Sequence, residues 1–230
     1  MLRLQNLTVI YPDKTKAIDN LSFTLEKREN IALAGENGAG KTSLLLAIAG
    51  VLEIASGTIE VNGIQLSRKT INEIRKQIGL VFQNPDDQLF MPFVFDDIAF
   101  GCRNFGMTEE QVAVHVEEVL SQLNISHLRN RSSLKLSSGE KRIAAIAAVL
   151  AMKPSVLMFD EPTAFLDPKA KRTLVETLKK LEHSKIIATH DMEFAAEVCD
   201  RVIILKNGQI MADGALSLLH NKELMLNYGL

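Results

Sequence analysis

Apolar and polar positions alternate over Leu2–Ile10 and Ala17–Leu25, the pattern of half-buried strands, and the turn-forming Tyr11-Pro12-Asp13-Lys14 between them predicts that the two pair. Asn30–Ala34 is instead a short apolar run. It leads into the glycine-rich Gly35–Thr42 and then into Ser43–Leu52, whose Leu and Ala residues favour helix. Gly57–Val61 and Ile64–Leu66 flank Asn62-Gly63, a hairpin signal. Arg68–Lys76 predicts a short helix, and Ile78–Phe82 an apolar strand ending at Gln83. The polar stretch Gln83–Gln88 follows, where Pro85 is expected to prevent helix.

The period changes from about Asp96. Thr108-Glu109-Glu110-Gln111 reads as a capping box opening a helix with Val112, Val116, Val119, Leu120 and Leu123 on its apolar face. A mostly helical insert is expected over roughly residues 90–152. Its last helix, Glu140–Met152, is apolar nearly all round after Arg142 and should be buried, and Lys153-Pro154 stops it. Strand Val156–Phe159, helix Pro168–Leu181, strand Lys185–Ala188, helix Met192–Val198 and strand Arg201–Leu205 then alternate, which predicts a parallel sheet with crossovers. The Asn207-Gly208 turn, strand Gln209–Ala212 and a short helix from Ala215 to near Tyr228 close the chain. Residues 1–89 and 153–230 are thus expected to form an α/β core interrupted by the helical insert, within one domain of 1–230.

Composition narrows the field. The 230 residues are 47% hydrophobic and 23% charged, enough for a sizeable core. A formal net charge of −2 provides no basic field for a phosphate backbone, so no nucleic-acid partner is expected. The apolar runs Leu44–Leu52 and Ile143–Met152 fall short of the roughly 20 residues of a membrane span, and the N-terminus lacks a charged-then-apolar signal layout. The chain is expected to stay in the cytosol without crossing a bilayer. Cys102, Cys199 and the scattered His115, His127, His183, His190 and His220 lack transition-metal spacing.

Two stretches carry chemistry. In GENGAGKT, Gly35, Gly38 and Gly40 let the backbone curl around phosphate between a strand and a helix N-terminus. Lys41 can reach the β- and γ-phosphates, and the Thr42 hydroxyl can ligate Mg²⁺. The chain is expected to bind a nucleoside triphosphate. In Val156-Leu157-Met158-Phe159-Asp160-Glu161, a buried strand presents two carboxylates at the edge of a parallel sheet where ligands bind. Asp160 can hold Mg²⁺ and Glu161 can take a proton from the attacking water.

With these and other motifs in order, the chain resembles the ATP-binding cassette (ABC) ATPases over nearly its whole length. The motifs are GENGAGKT as Walker A, Gln83 as the Q-loop, Leu136-Ser137-Ser138-Gly139-Glu140 as the signature, VLMFDE as Walker B, Phe165-Leu166-Asp167 as the D-loop and His190 as the switch histidine. The resemblance implies a P-loop core with an antiparallel β subdomain and an inserted α-helical signature subdomain, with ATP and Mg²⁺ as ligands. It implies a Walker A contact set of Gly35, Glu36, Asn37, Gly38, Ala39, Gly40, Lys41, Thr42 and Ser43, stacking of adenine on Tyr11, Mg²⁺ or water contact by Gln83, and a hydrogen bond from His190 to the γ-phosphate. Ser137, Ser138, Gly139 and Glu140, at a helix start suited to anions, with Asp167, would face the nucleotide of a second subunit, either another copy or a paralogue.

Two departures stand out. Ser138 and Glu140 replace the usual glycine and the common glutamine, and Phe165 occupies a usually small position. The stretch Val81–Phe90 with Asp96–Gly101 is similar to the ATPases of energy-coupling-factor and cobalt/nickel importers. That branch implies a peripheral subunit at the cytoplasmic face of the cell membrane, a transmembrane subunit docking near Gln83–Phe90, and cargo of the metal-ion type, with a vitamin importer or a non-transport ABC ATPase as the alternative.

Overall fold

The strands form two sheets. The computed structural model describes residues 1–220, and in chain order its elements begin with β1 (Leu2–Ile10), β2 (Lys16–Leu25), β3 (Asn30–Ala34), α1 (Lys41–Ile48), β4 (Ser56–Val61), β5 (Ile64–Gln65), α2 (Ile71–Gln77) and β6 (Ile78–Val81). Three helices follow: α3 (Val94–Asn104), α4 (Glu109–Gln122) and α5 (Ser138–Leu150). The chain then alternates through β7 (Val156–Asp160), α6 (Pro168–Lys180), β8 (Ser184–Ala188), α7 (Met192–Val198), β9 (Arg201–Lys206) and β10 (Gln209–Ala215). They divide into two compact units. The first is Met1–Leu80, Ser155–Glu161 and the chain from Glu182; the second is Val81–Pro154 and Pro162–Leu181.

In the first unit, β2-β1-β4-β5 form an antiparallel sheet. Strict alternation would put Asn6 on the face of Leu2 and Leu4. The register instead slips between Leu4 and Leu7, where Asn6 takes a left-handed φ of 48°, and the shift brings Leu7 and Val9 inward as well. The other sheet has the order β10-β9-β3-β8-β7-β6, with β3 parallel to both β8 and β9, and β7 parallel to β8. β7 and β8 are buried at every residue, as strands covered on both faces must be. Leu44, Leu45 and Ile48 of α1 join Ile31, Leu33, Met158, Ile186 and Ile203 in the core.

The second unit is helical. α5 buries eight residues from Arg142 to Leu150, and Gly139 lies so near α6 that an added Cβ would come within 2.9 Å of the Ala170 Cβ. The unit begins at Val81 and includes α6, whereas the sequence placed the insert at 90–152 and α6 in the core. The reason is packing: α6 lies against α5 and buries Leu174, Val175 and Leu178.

Other differences are local. Pro85–Asp87 forms a 3-10 turn despite Pro85, because proline at a first helical position has no N–H to leave unmatched and the Asn84 side chain caps the turn by accepting from the Asp86 amide. α2 starts at Ile71, after Thr70, and β10 continues to Ala215. The expected C-terminal helix is a 3-10 turn over Leu216–His220, and its remainder, to Tyr228, lies outside the described residues.

Candidate functional site

Strand order brings together three distant segments of the first unit. β3, β8 and β7 are neighbours, and Ala188 is paired with both Leu33 and Asp160, so their C-terminal ends lie side by side. The loop after β3 begins at the buried Gly35 and ends at Gly40, whose φ of +104° and closeness to the Ala17 carbonyl admit no side chain. Glu36, Asn37 and Gly38 are exposed at its tip and Ala39 is buried.

Lys41 opens α1 with its side chain only 6% exposed; its Nζ donates to the Gly35 carbonyl at 2.6 Å and the Glu36 carbonyl at 3.2 Å, and lies 3.6 Å from Glu161 Oε1. The Thr42 hydroxyl donates to Asp160 Oδ2 at 2.8 Å. The Ser43 and Tyr11 hydroxyls are 2.9 Å apart, which tethers the half-buried Tyr11 beside the loop's helix.

The carboxylates end β7. Asp160 and Glu161 are 6% and 7% exposed, and Glu161 takes a left-handed φ of 42° while its amide donates to the Ala188 carbonyl. His190, two residues beyond β8, has Nδ1 at 2.9 Å from Glu161 Oε2, which also accepts from the His190 amide at 3.3 Å. Its ring is 67% exposed. An ammonium, two oxygens suited to a hard cation, and a carboxylate next to an imidazole thus share one sheet edge.

Gln83, Ser137–Glu140 and Asp167 belong to the second unit and form a group of their own. Ser137 caps α5 in a reciprocal box: its hydroxyl accepts from the Glu140 amide at 3.3 Å, while Glu140 Oε2 accepts from the Ser137 amide at 2.7 Å and its hydroxyl at 2.8 Å. The Ser137 amide bond holds the Glu140 carboxyl below the usual range. A glutamate thus completes this cap. Asp167 caps α6 by accepting from the Ala170 amide.

Ser138 and Phe165 line the same two cavities of this unit. One, of about 760 Å³, also takes in Gly139 and Asp167; the other, of about 540 Å³, takes in Gln83 and Arg142. Phe165 is 75% exposed, with φ of 64°.

The buried charges of Asp97 and Arg142 escaped the reading of the sequence. Asp97 organises the approach to α3, with Oδ1 accepting from the Phe90 and Met91 amides at 2.9 Å and Oδ2 from the Ser133 hydroxyl at 2.6 Å. Arg142 donates to two carbonyls of the loop after β6. The available signals were an acid in a first helical turn and a lone arginine heading an apolar helix.

The family model described as ABC transporter matches residues 18–164. The energy-coupling factor transporter ATP-binding protein EcfA of Carboxydothermus hydrogenoformans is 40% identical over 232 residues, covering 100% of this chain and 86% of its own length. Among solved structures, cbiO1 from Clostridium perfringens, described as part of the ABC transporter complex cbiONQ, matches with a TM-score of 0.86 at 36% identity, over 98% of this chain and 92% of that one. The cassette MJ0796, in a dimeric post-hydrolysis state bound to ADP and Pi, matches with a TM-score of 0.82 at 25% identity, over 94% and 99%. Among the described residues no helix is long and apolar enough to cross a membrane. With the family model spanning most of the chain and relatives along its length, the chain belongs to the ABC transporter ATPases, in the branch of its energy-coupling-factor and CbiO relatives, and couples ATP hydrolysis to transport.

Proposed function

We propose that this chain powers an energy-coupling-factor-like importer of cobalt/nickel-type metal ions, as a peripheral subunit at the cytoplasmic face of the cell membrane. The observation that carries the catalytic part is the convergence of Lys41, Thr42, Asp160, Glu161 and His190 at adjoining strand ends. Lys41 exchanges the Gly35 and Glu36 carbonyls for the β- and γ-phosphates, and Gly35–Ser43 wraps them with main-chain N–H groups. Glu161 accepts a proton from the attacking water, and His190, held beside it, donates to the γ-phosphate. Tyr11, tethered to Ser43, stacks on adenine.

Thr42 and Asp160 suit Mg²⁺, since their oxygens lie 2.8 Å apart and are the hard donors it prefers. Among the described residues no group of three or more His, Cys, Asp or Glu could hold a metal. An ion there would complete its shell with phosphate and water. When bound, it neutralises phosphate charge. Gln83 is the further contact.

Ser137–Glu140 and Asp167 complete the site of a second ATPase subunit, a copy of this chain or a paralogue, as the dimeric state of MJ0796 supports. Gln83–Phe90 receives the transmembrane subunit; the exposed Phe90, edge-on to Phe100 at 4.9 Å, is an apolar contact suited to it. The similarity of Val81–Phe90 and Asp96–Gly101 to the ATPases of cobalt/nickel importers is what favours metal cargo. Reconstituted with its membrane subunits in vesicles, the protein is expected to drive ATP-dependent cobalt or nickel uptake. Uptake of a vitamin without metal overturns the cargo, and a strictly monomeric chain at saturating Mg·ATP, with hydrolysis blocked and the membrane subunits present, overturns the dimer.

A further inference from the structure

We propose that Arg142 is a positioning residue, fastening the main chain at Gln83 to the helix that begins at Ser138, so that the loop carrying Gln83 and the signature turn as one piece. Arg142 is 1% exposed, and its Nη1 and Nη2 donate to the Phe82 and Gln83 carbonyls, each at 2.6 Å. Two further ties join the same loop to α5. Lys141 Nζ meets Asp86 Oδ1 at 2.5 Å, and Gln88 donates to the Ala145 carbonyl while accepting from the Phe82 amide.

A planar guanidinium bonded to two successive carbonyls fixes direction as well as distance, which a point charge does less well. Burying a charge is unfavourable, and an apolar side chain of similar volume fills space at lower cost. Holding these two carbonyls is therefore the function that accounts for an arginine here. The catalytic half of the inference rests on the role proposed for Gln83.

Hydrogen exchange and kinetics on Arg142→Met and Arg142→Lys test it. In Arg142→Met the amides of residues 82–84 and 86–88 are expected to exchange about tenfold or more faster while those of 146–150 are unchanged. The same variant should lose about tenfold or more in kcat, with affinity for a fluorescent ATP analogue within about twofold of the parent, because positioning fails while phosphate binding by Lys41 and Thr42 does not. Arg142→Lys should recover part of both losses. Unchanged exchange over 82–88, or unchanged kcat despite faster exchange, overturns the proposal. If Arg142→Met does not fold, the same readouts on Arg142→Lys decide, and parental values overturn it. Gln83→Ala separates the two claims: unchanged kcat there removes the role of Gln83, whereas exchange over 82–88 reports on Arg142 alone.

Discussion

Replacing Gly40 by alanine tests the phosphate loop where the backbone is least tolerant. The new Cβ would lie 2.5 Å from the Ala17 carbonyl oxygen and 3.0 Å from Ile18 Cδ1. The carbonyl cannot easily yield, since β2 is paired to β1 on both sides of Ala17, through Lys16–Ile10 and Ile18–Val9. At φ of +104° a side chain also carries strain of about 1–3 kcal/mol, and pushing the loop off β2 adds about 1–3 kcal/mol. A total near 3 kcal/mol corresponds to a fall in Tm of about 6–12 °C for a chain of this size. The loop should fail with the fold, because Gly40 immediately precedes Lys41 and Thr42: about tenfold weaker binding of a fluorescent ATP analogue corresponds to only about 1.4 kcal/mol. Gly38→Ala is the control. Its φ of +84° is also left-handed, yet nothing lies within 4 Å of its Cβ, so only the strain remains. A Gly40→Ala protein that melts with the parent and binds normally, or a Gly38→Ala protein as damaged as Gly40→Ala, refutes the reasoning.

Glu161→Gln keeps the shape at the end of β7 but removes the base, so phosphate release is expected to fall by about 10²-fold or more while ATP is retained; unchanged steady-state turnover removes Glu161 from that role. Ser137→Ala breaks the α5 cap at about 1 kcal/mol, read by chemical denaturation, whereas Glu140→Gln keeps it; equal losses in the two variants contradict this. Burial, with Lys185 nearby, pushes the His183 imidazole below its ordinary value of 6.5. The unfolded chain then binds the extra proton, so stability is full above 6.5 and is lost as pH falls through 6.5 toward the lower folded value. His183→Gln should flatten that acid limb in pH-dependent melting curves, and an unaltered limb excludes the effect. Burial pushes the Cys199 thiol up to about 12, so a thiol reagent at pH 8 should label it only after denaturation; rapid labelling of the native protein contradicts its burial.

The order of strands and helices was legible because local chemistry and final environment agree. Val156–Phe159 reads as a buried strand and lies in one, β7, which continues one residue further to Asp160, and Thr108 and Gln111 form the expected capping box. What the residues themselves leave open is non-local. Periodicity carries no information on which strand lies beside which, so the meeting of Asp160, Glu161 and His190 with Lys41 is a property of sheet order. Resemblance to a family supplied the roles, since a lone Gln83 or His190 has none by composition. Arg142 illustrates the converse limit. It marked where an apolar helix begins, but the carbonyls it holds lie about sixty positions upstream. The unit boundary was missed for a similar reason, since α6 alternates with strands in sequence yet packs on α5.

The placement of β3 between β8 and β9 has a consequence for how the protein is made. The strand that leads into the phosphate loop is synthesised about 150 residues before either of its hydrogen-bonded neighbours, which arrive after residue 183. During translation its edges wait unmatched, and such edges invite wrong pairing. A chain cut short before Arg201 would lack one neighbour altogether, so firm nucleotide capture must wait until Arg201–Lys206 has been made.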